Sequence, residues 1–535
     1  MPTSSSALGD RGAPGRALRR CRGRRTGRPR RGGNVSNEVQ EFDVVVLGAG
    51  AVGENAADRA SRTGLSVALV ESQLVGGECS YWACMPSKAL LRAGDALAAA
   101  RDVPGAAAAV TGGVDVAAVL ARRDEVTSHW DDAGQVRWVE GAGLTLLRGH
   151  ARLTGARELV LTHEDTDTRV LARHAVVVAT GSVAAVPRAG GLADVRPWTS
   201  REATSAHTVP PRLAVVGGGV VGVEMATAFA DLGSEVTLLV RGDRLLPRAE
   251  PFAGEALARA LVDRGVRVAL RASVVAASRD DAGVHLTVEH EPRDASAGTE
   301  QLVADEVLVA TGRRPATEDL GLETVGLTPG GALEVDDALQ VQGVEGGWLF
   351  AVGDVTGRTG TTHQGKYDAR VVGDVLAARF DPRPGGGVDG PQVPRGLSRE
   401  GEAGAGPWSR YRATADAAAV PQVVFTRPQV AWVGPTEEEA RRAGLDVGVV
   451  GYDLGGVAGA SVTGEHYEGR VQVVVDRARD VLVGATFVGP DVADMLHAAT
   501  VAVVGEVPLH RLWHAVPSYP TLSEVWLRLL EADGR

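Results

Sequence analysis

Two stretches of the chain repeat one order of apolar and polar positions. Glu41–Val46 leads into Leu47-Gly48-Ala49-Gly50-Ala51-Val52-Gly53, then a helical stretch of small residues, then the strand-like Ser66–Val70 ending at Glu71. Leu213–Val216 leads into Gly217-Gly218-Gly219-Val220-Val221-Gly222, then helical Val223–Leu232, then the strand Glu235–Val240. Each copy reads as strand, glycine-rich turn, helix, strand. The copies also close alike, on strands that end in Ala179-Thr180-Gly181-Ser182 and Ala310-Thr311-Gly312-Arg313. The repeat therefore spans whole domains and predicts an α/β fold with two Rossmann-like dinucleotide-binding units. Leu349–Val352 is a further buried strand, ending at Gly353-Asp354. From Val420 on, strands Val471–Val475 and Val483–Val488 and amphipathic helices Val492–Val504 and Leu522–Leu530 predict a separate α+β domain. Residues 381–417 are rich in Gly, Pro and Arg without periodicity and read as a flexible linker.

The glycines have distinct tasks in such a turn. The first (Gly48, Gly217) makes the tight bend, and the second (Gly50, Gly219) lets backbone approach a pyrophosphate. The third (Gly53, Gly222) lets helix and strand pack closely. Two matches, each in strand–helix context, predict two dinucleotide sites. The copies differ eighteen residues after the third glycine, where the first has Glu71 and the second Val240 followed by Arg241, with Arg244 and Arg248 close by. An acid hydrogen-bonds a free ribose and repels a 2′-phosphate, whereas arginine attracts one. The first site is thus expected to take an adenosine with a free ribose, and the second to prefer NADPH over NADH.

Composition narrows the class. A chain of 535 residues, 44% hydrophobic and 23% charged, has room for three or four domains and is not disordered as a whole. No apolar run reaches the ~18 residues of a membrane span. Three cysteines exclude a disulfide-stapled scaffold, so a cytoplasmic enzyme is expected. Residues 1–33 carry ten arginines against the single acid Asp10, and the rest of the chain is strongly acidic. An acidic body argues against nucleic acid as its partner. The basic tail, residues 1–40, reads as disordered, and no apolar segment after its Arg-Arg pairs makes it a secretory or twin-arginine signal. Only two of the 56 basic residues are lysines, Lys88 and Lys366. Such a chain keeps lysine where a forked guanidinium does not fit.

Cys79 and Cys84 lie in Gly76-Gly77-Glu-Cys79-Ser-Tyr-Trp-Ala-Cys84-Met-Pro86-Ser-Lys88. No further Cys or His follows before His129, which excludes a local four-ligand zinc site. Two buried thiols remain one reading, and a redox-active dithiol is the better one. In a regular helix, residues five apart have Cα atoms roughly 8–9 Å apart. A disulfide needs about 4.4–6.8 Å. The segment must therefore be distorted, or its helix must begin midway. A lysine beside a thiol, as Lys88 stands four residues after Cys84, favours the nucleophilic thiolate.

The Gly-Gly-x-Cys-x4-Cys-x-Pro-Ser-Lys segment, both glycine turns, both Ala-Thr-Gly strands and the Gly353-Asp354 strand occur in the order found in flavoprotein disulfide reductases. The chain resembles dihydrolipoamide dehydrogenase, glutathione reductase and mercuric reductase over about residues 41–380 and 420–530. The resemblance implies FAD in the first site, NAD(P)H in the second and a homodimer whose partner completes each active site. It implies that Gly48, Gly50, Gly53 and Glu71 hold the adenosine half of FAD. Gly77, Lys88, Thr180, Gly181 and Asp354 would line the rest, and Gly217, Gly219, Gly222, Arg241 and Gly312 would serve the nicotinamide nucleotide. Cys84 would be the thiol nearest the flavin and Cys79 the outer, exchanging thiol, with Lys88 paired to Glu224.

The implied domain limits are 41–200 and 331–380 for FAD, 201–330 for NAD(P), 381–419 for the linker and 420–535 for dimerisation. The family's C-terminal His-Pro-Thr-x-x-Glu acid/base reads here Tyr519-Pro520-Thr521-Leu522-Ser523-Glu524. Tyrosine replaces the histidine, and His514 lies five residues earlier. A phenol is a weak base at neutral pH. No cysteine follows Cys84, so the C-terminal cysteine pair of mercuric reductases is missing. The expected activity is electron transfer from NAD(P)H through FAD and the Cys79–Cys84 pair to a small-molecule disulfide or thiol-type acceptor. Direct reduction of a quinone by the flavin, or redox sensing with little turnover, are the alternatives.

Overall fold

The computed structural model describes residues 34–291, 298–380 and 397–535. Its first layer is a sheet whose parallel strands run in the order Thr145–Arg148, Val67–Glu71, Asn34–Leu47, Thr166–Val178 and Leu349–Ala351. Val44–Val46 and Val176–Val178 are fully buried, because one face of the sheet packs on helices Ala51–Ser61 and Thr362–Phe380 and the other on strands His150–Gly155 and Glu158–His163. Helix α1 (Ala51–Ser61) turns Gly53, Ala56, Ala57 and Ala60 inward, side chains small enough to bring it close to the strands. Short helix α2 (Gly77–Tyr81) follows the strand that ends at Glu71, and long helix α3 (Cys84–Arg101) follows α2.

The second sheet repeats this plan with the parallel order Arg267–Leu270, Glu235–Val240, Arg212–Val216, Glu306–Val309. Its helix α4 (Val220–Asp231) is buried over Gly222–Phe229, since it packs on its own sheet and on α3. At the α3–α4 crossing a Cβ on Gly94 would collide with the Asp231 carboxylate. Helix α5 (Thr362–Phe380) returns to the first unit and packs along α1. The third unit is a five-stranded antiparallel sheet, ordered Gln422–Val424, Gln429–Val433, Val481–Gly489, Arg470–Asp476, Val447–Asp453, with helices Val492–Val504 and Val525–Ala532 against it.

Three segments differ from expectation. Residues 34–40, read as part of a disordered tail, belong to the first strand and pair with Thr166–Val170; pairing between distant segments leaves no compositional trace. Residues 1–33 lie outside the described residues. Residues 397–419, read as linker, bury Leu397, Tyr411 and Ala413 in the core of the first unit. These are isolated apolar residues without a period, so no pattern announced them. The helix expected over Leu522–Leu530 begins with a tight 3-10 turn at Leu522–Glu524 and becomes α-helical from Val525. No helix among the described residues is long and apolar enough to cross a membrane.

Candidate active site

The two glycine turns are built alike. Gly48 (φ +98°) and Gly217 (φ +120°) bend the chain where only glycine is unstrained. A Cβ on Gly53 would run into the Gly48 carbonyl, and one on Gly222 into the Gly217 carbonyl. The middle glycines are different: nothing lies within 4 Å of a Cβ on Gly219, and the only neighbour of one on Gly50 is Gly77 at 4.0 Å. Each turn thus leaves open space at the helix N-terminus, a cradle that fits a pyrophosphate.

From the first turn a cavity of about 320 Å³ runs past Gly50, Glu71, Gly77, Cys79, Gly181 and Asp354. Glu71 closes one end with its carboxylate fixed by two amides, Ala49 N to Oε2 at 2.8 Å and Gln73 N to Oε1 at 2.7 Å. At the other end Ser182 Oγ donates to Asp354 Oδ2 at 2.5 Å. Arg313 in turn donates to Ser182 Oγ at 2.7 Å. Sequence reasoning passed over Ser182 and Arg313; their signal was their place directly after the two Ala-Thr-Gly strands. Thr180 Oγ1 donates to Ala316 O at 3.0 Å, and both residues line the cavity.

The dithiol segment is broken midway, as the spacing requires. Trp82 and Ala83 leave helical geometry (φ −139° and −138°), so Cys79 sits in α2 while Cys84 is the first residue of α3. The two thiols stand close enough to influence each other, and Thr362 Oγ1 at the start of α5 lies 3.4 Å from Cys84 Sγ. The neighbouring Cys79 thiol is the largest influence holding Cys84 below the usual thiol range; burial opposes it, and Thr362 and Lys88 add to it. Cys84, with burial, pushes Cys79 far up. Of the two sulfurs, Cys84 is the one whose thiolate its surroundings favour. Thr362, 278 residues along the chain, could not be found from local spacing.

Lys88 Nζ meets Glu224 Oε2 at 2.8 Å, joining α3 to α4. Glu224 is buried, and its other oxygen accepts from Phe425 N at 2.9 Å. Lys88 also stands 4.9 Å from the Phe425 ring centre, a cation–π contact with the third unit. Further along the same helices Arg427 bridges Asp95 at 3.1 Å and Asp231 at 2.8 Å. All three units thus hold the lysine beside Cys84.

In the second nucleotide site Val240 packs under Gly218, and Arg241 follows, exposed and without an ion pair or hydrogen bond among the described residues. Arg244 instead folds back to Pro247 O at 2.8 Å. Arg248 is exposed, and Gly312 (φ +139°) has open space beside it. Tyr519 and Glu524 lie in the third unit and form no contact with the dithiol in one protomer. Tyr519 is 78% exposed, while Glu524 is buried with Oε1 on Arg528 Nη2 at 2.7 Å.

The family description "Pyridine nucleotide-disulphide oxidoreductase" matches residues 42–369, and its dimerisation domain matches residues 420–529. Dihydrolipoyl dehydrogenase 3 of Pseudomonas aeruginosa is 32% identical over 493 residues, 91% of this chain and 96% of the relative. Mercuric reductase of Staphylococcus aureus is 29% identical over 492 residues, 91% of this chain and 82% of the relative. Among solved structures, the HOCl-induced flavoprotein disulfide reductase of Escherichia coli, in its Cu(II) complex, aligns with TM-score 0.75 at 25% identity, over 92% of this chain and 99% of that one.

Proposed function

Because the chain belongs to the pyridine nucleotide-disulphide oxidoreductase family and is an FAD-dependent NAD(P)H oxidoreductase that dimerises through its C-terminal domain, we propose that it reduces a small disulfide or related thiol-reactive acceptor at Cys79. The observation that carries this reading is the Cys79–Cys84 pair at the broken α2–α3 junction, with Lys88 and Thr362 around Cys84. Bound FAD supplies a carrier that takes a hydride from NAD(P)H and passes two electrons to the sulfur pair.

The residues divide this work. Gly48, Gly50, Gly53 and Glu71 bind the adenosine and pyrophosphate half of FAD, and Gly77, Lys88, Thr180, Gly181 and Asp354 line the remainder. The FAD-binding unit comprises 41–200 and 331–380, the NAD(P)-binding unit 201–330. Gly217, Gly219, Gly222 and Gly312 accept the nicotinamide nucleotide, and Arg241 selects NADPH through its 2′-phosphate. Cys84 carries the thiolate nearest the flavin and Cys79 exchanges with the acceptor. Tyr519 and Glu524 reach the dithiol from the partner subunit, Glu524 orienting the phenol. With tyrosine there, proton delivery to the leaving sulfur is weak, so the acceptor's leaving thiol is an acidic one. A cytoplasmic setting, where thiols stay reduced, suits a pair that must cycle.

Anaerobic NADPH titration of the purified protein tests this. The reading expects a two-electron-reduced form with a long-wavelength thiolate-to-flavin absorbance, lost in Cys84→Ser together with disulfide reduction. If Cys84→Ser kept full NADPH–quinone turnover and the wild type reduced no disulfide, the flavin would be serving its acceptor directly and the proposal would fall.

A further inference from the structure

In the second parallel sheet three strands end side by side. Arg212–Val216 runs into the glycine cradle, Val216 pairs with Leu239, and Val240 pairs with Leu270 of the outer strand Arg267–Leu270. The residues leaving these ends are therefore, in order across the sheet, Gly217–Gly219, Arg241 and Arg271, with neighbouring strands about 4.8 Å apart. Dinucleotides bind along such carboxyl ends, with the pyrophosphate on the cradle and the adenosine ribose over the next strand. Arg271 stands one strand beyond Arg241.

The chain holds Arg271 in an unusual way. Its backbone is left-handed (φ +54°), a conformation that a long side chain rarely adopts. It is pinned on both sides: Arg271 N donates to Gly242 O at 2.9 Å, and Arg271 O accepts from Glu291 N at 2.9 Å. The first bond fixes Arg271 against the loop that Arg241 begins. The half-buried guanidinium reaches the same loop, where Nη2 lies 3.7 Å from Asp243 Oδ2, an ion pair too long for a hydrogen bond. Its Nε is buried and has no hydrogen-bond partner among the described residues. A strained backbone and an unsatisfied buried donor both cost stability, and such costs gather where a function uses them.

We propose that Arg271 is a second arginine for the 2′-phosphate of NADPH, meeting from the outer strand an anion that Arg241 meets from the inner one. The inference rests on the reading of this site as selective for NADPH, and it adds a residue that makes the selection. Arg241 is exposed, so water and salt screen it and an anion on it alone is weakly held. Arg271 is half-buried on a backbone fixed from both sides, so it is screened less and loses less freedom when an anion binds. Asp243, 66% exposed, is its resident counter-charge. A phosphate monoester carries about −1.5 to −2 charges at pH 7 and offers three acceptor oxygens, so it outcompetes this single, distant carboxylate for the guanidinium. NADH brings no such charge and leaves the Arg271–Asp243 pair in place.

Holoenzyme, with FAD filling the first site, is titrated by calorimetry with 2′,5′-ADP and with 5′-AMP, which differ only in the 2′-phosphate. The wild type is expected to bind 2′,5′-ADP more tightly. Arg271→Asn, whose side chain suits left-handed backbone, is expected to weaken 2′,5′-ADP about tenfold and to leave 5′-AMP unchanged. Asp243→Asn is expected to tighten 2′,5′-ADP about threefold, a gain that disappears in Arg271→Asn/Asp243→Asn. Arg271→Gly fits the same backbone without strain and takes the place of Arg271→Asn if that variant does not fold. Unchanged 2′,5′-ADP affinity without Arg271, equal losses for both ligands, or an Asp243→Asn gain that is absent or survives the loss of Arg271 would overturn the inference alone. Equal wild-type affinity for the two ligands would overturn the NADPH reading beneath it.

Discussion

Asp368 and Asp416 are two buried carboxyl groups that act on each other and share one arginine, Arg358. Asp368, fully buried on α5, accepts from Gly353 N at 3.2 Å with one oxygen, while its other is buried without a hydrogen-bond partner. Asp416 takes Gln364 Nε2 at 2.7 Å and Arg358 Nε at 3.0 Å. One arginine cannot balance two buried carboxylates, so one of them stays neutral. Burial and then the Asp416 charge push Asp368 up to about 8.

A proton held more tightly in the folded than in the unfolded chain gives stability that is complete at low pH and lost as pH rises through the folded value. The holoenzyme's thermal midpoint is therefore expected to fall between pH 6 and pH 8 through this pair. Asp368→Asn can still accept from Gly353 N and can donate an amide N–H to Asp416. It is expected to flatten that slope and be more stable than wild type at pH 8 by roughly 1 kcal/mol, the scale of one pKa unit. Calorimetry across this range decides it.

Lys88→Met leaves Glu224, 3% exposed, without its cation. A buried charge stripped of its partner costs roughly 3 kcal/mol. Lys88→Met/Glu224→Gln is expected to recover part of that, since Gln can keep the bond from Phe425 N. Removing Lys88 also raises Cys84, so the thiolate absorbance of the single mutant should need higher pH to appear. Chemical denaturation and a spectral pH titration measure the two effects.

The glycines of the second turn predict a contrast. Gly222→Ala drives a Cβ into the Gly217 carbonyl and is expected to lower folding yield and stability by several kcal/mol. Gly219→Ala has free space for its methyl, so the protein should fold and carry FAD, while the KM for NADPH rises about tenfold or more. Flavin absorbance with steady-state kinetics separates the two.

Arg241 is the unpaired cation after the strand Glu235–Val240. Arg241→Ala is expected to reduce kcat/KM for NADPH about tenfold and to leave NADH nearly unchanged, because only NADPH carries the 2′-phosphate. Equal losses with both nucleotides would assign Arg241 a general electrostatic role.

Tyr519→His restores an acid/base that titrates near neutrality. Turnover with a poor leaving group such as lipoamide is expected to rise by about 10²-fold, the lower bound for a positioned acid/base. A rise confined to kcat at neutral pH would mark proton transfer as the limiting step.

The elements that position the site were legible because they are written locally. Two glycine turns between apolar strands announce two nucleotide-binding units, and the Cys79–Cys84 spacing announces a break between helices, found at Trp82 and Ala83. The packing of 397–419 was not legible, because Leu397, Tyr411 and Ala413 gain meaning only against the core they enter. Nor was the bond from Ser182 to Asp354, which joins residues 172 apart.

By itself the sequence determined the fold class, the two glycine-rich cradles and the spacing of the two cysteines, since each depends on side-chain types within one turn or one strand–helix unit. Tertiary structure alone decided what surrounds each sulfur. Thr362 arrives there from a distant part of the first unit, and Glu224 and Phe425 from the other two. Charges act through space, so the state of a thiol is set by whatever folding brings alongside it, at any distance along the backbone.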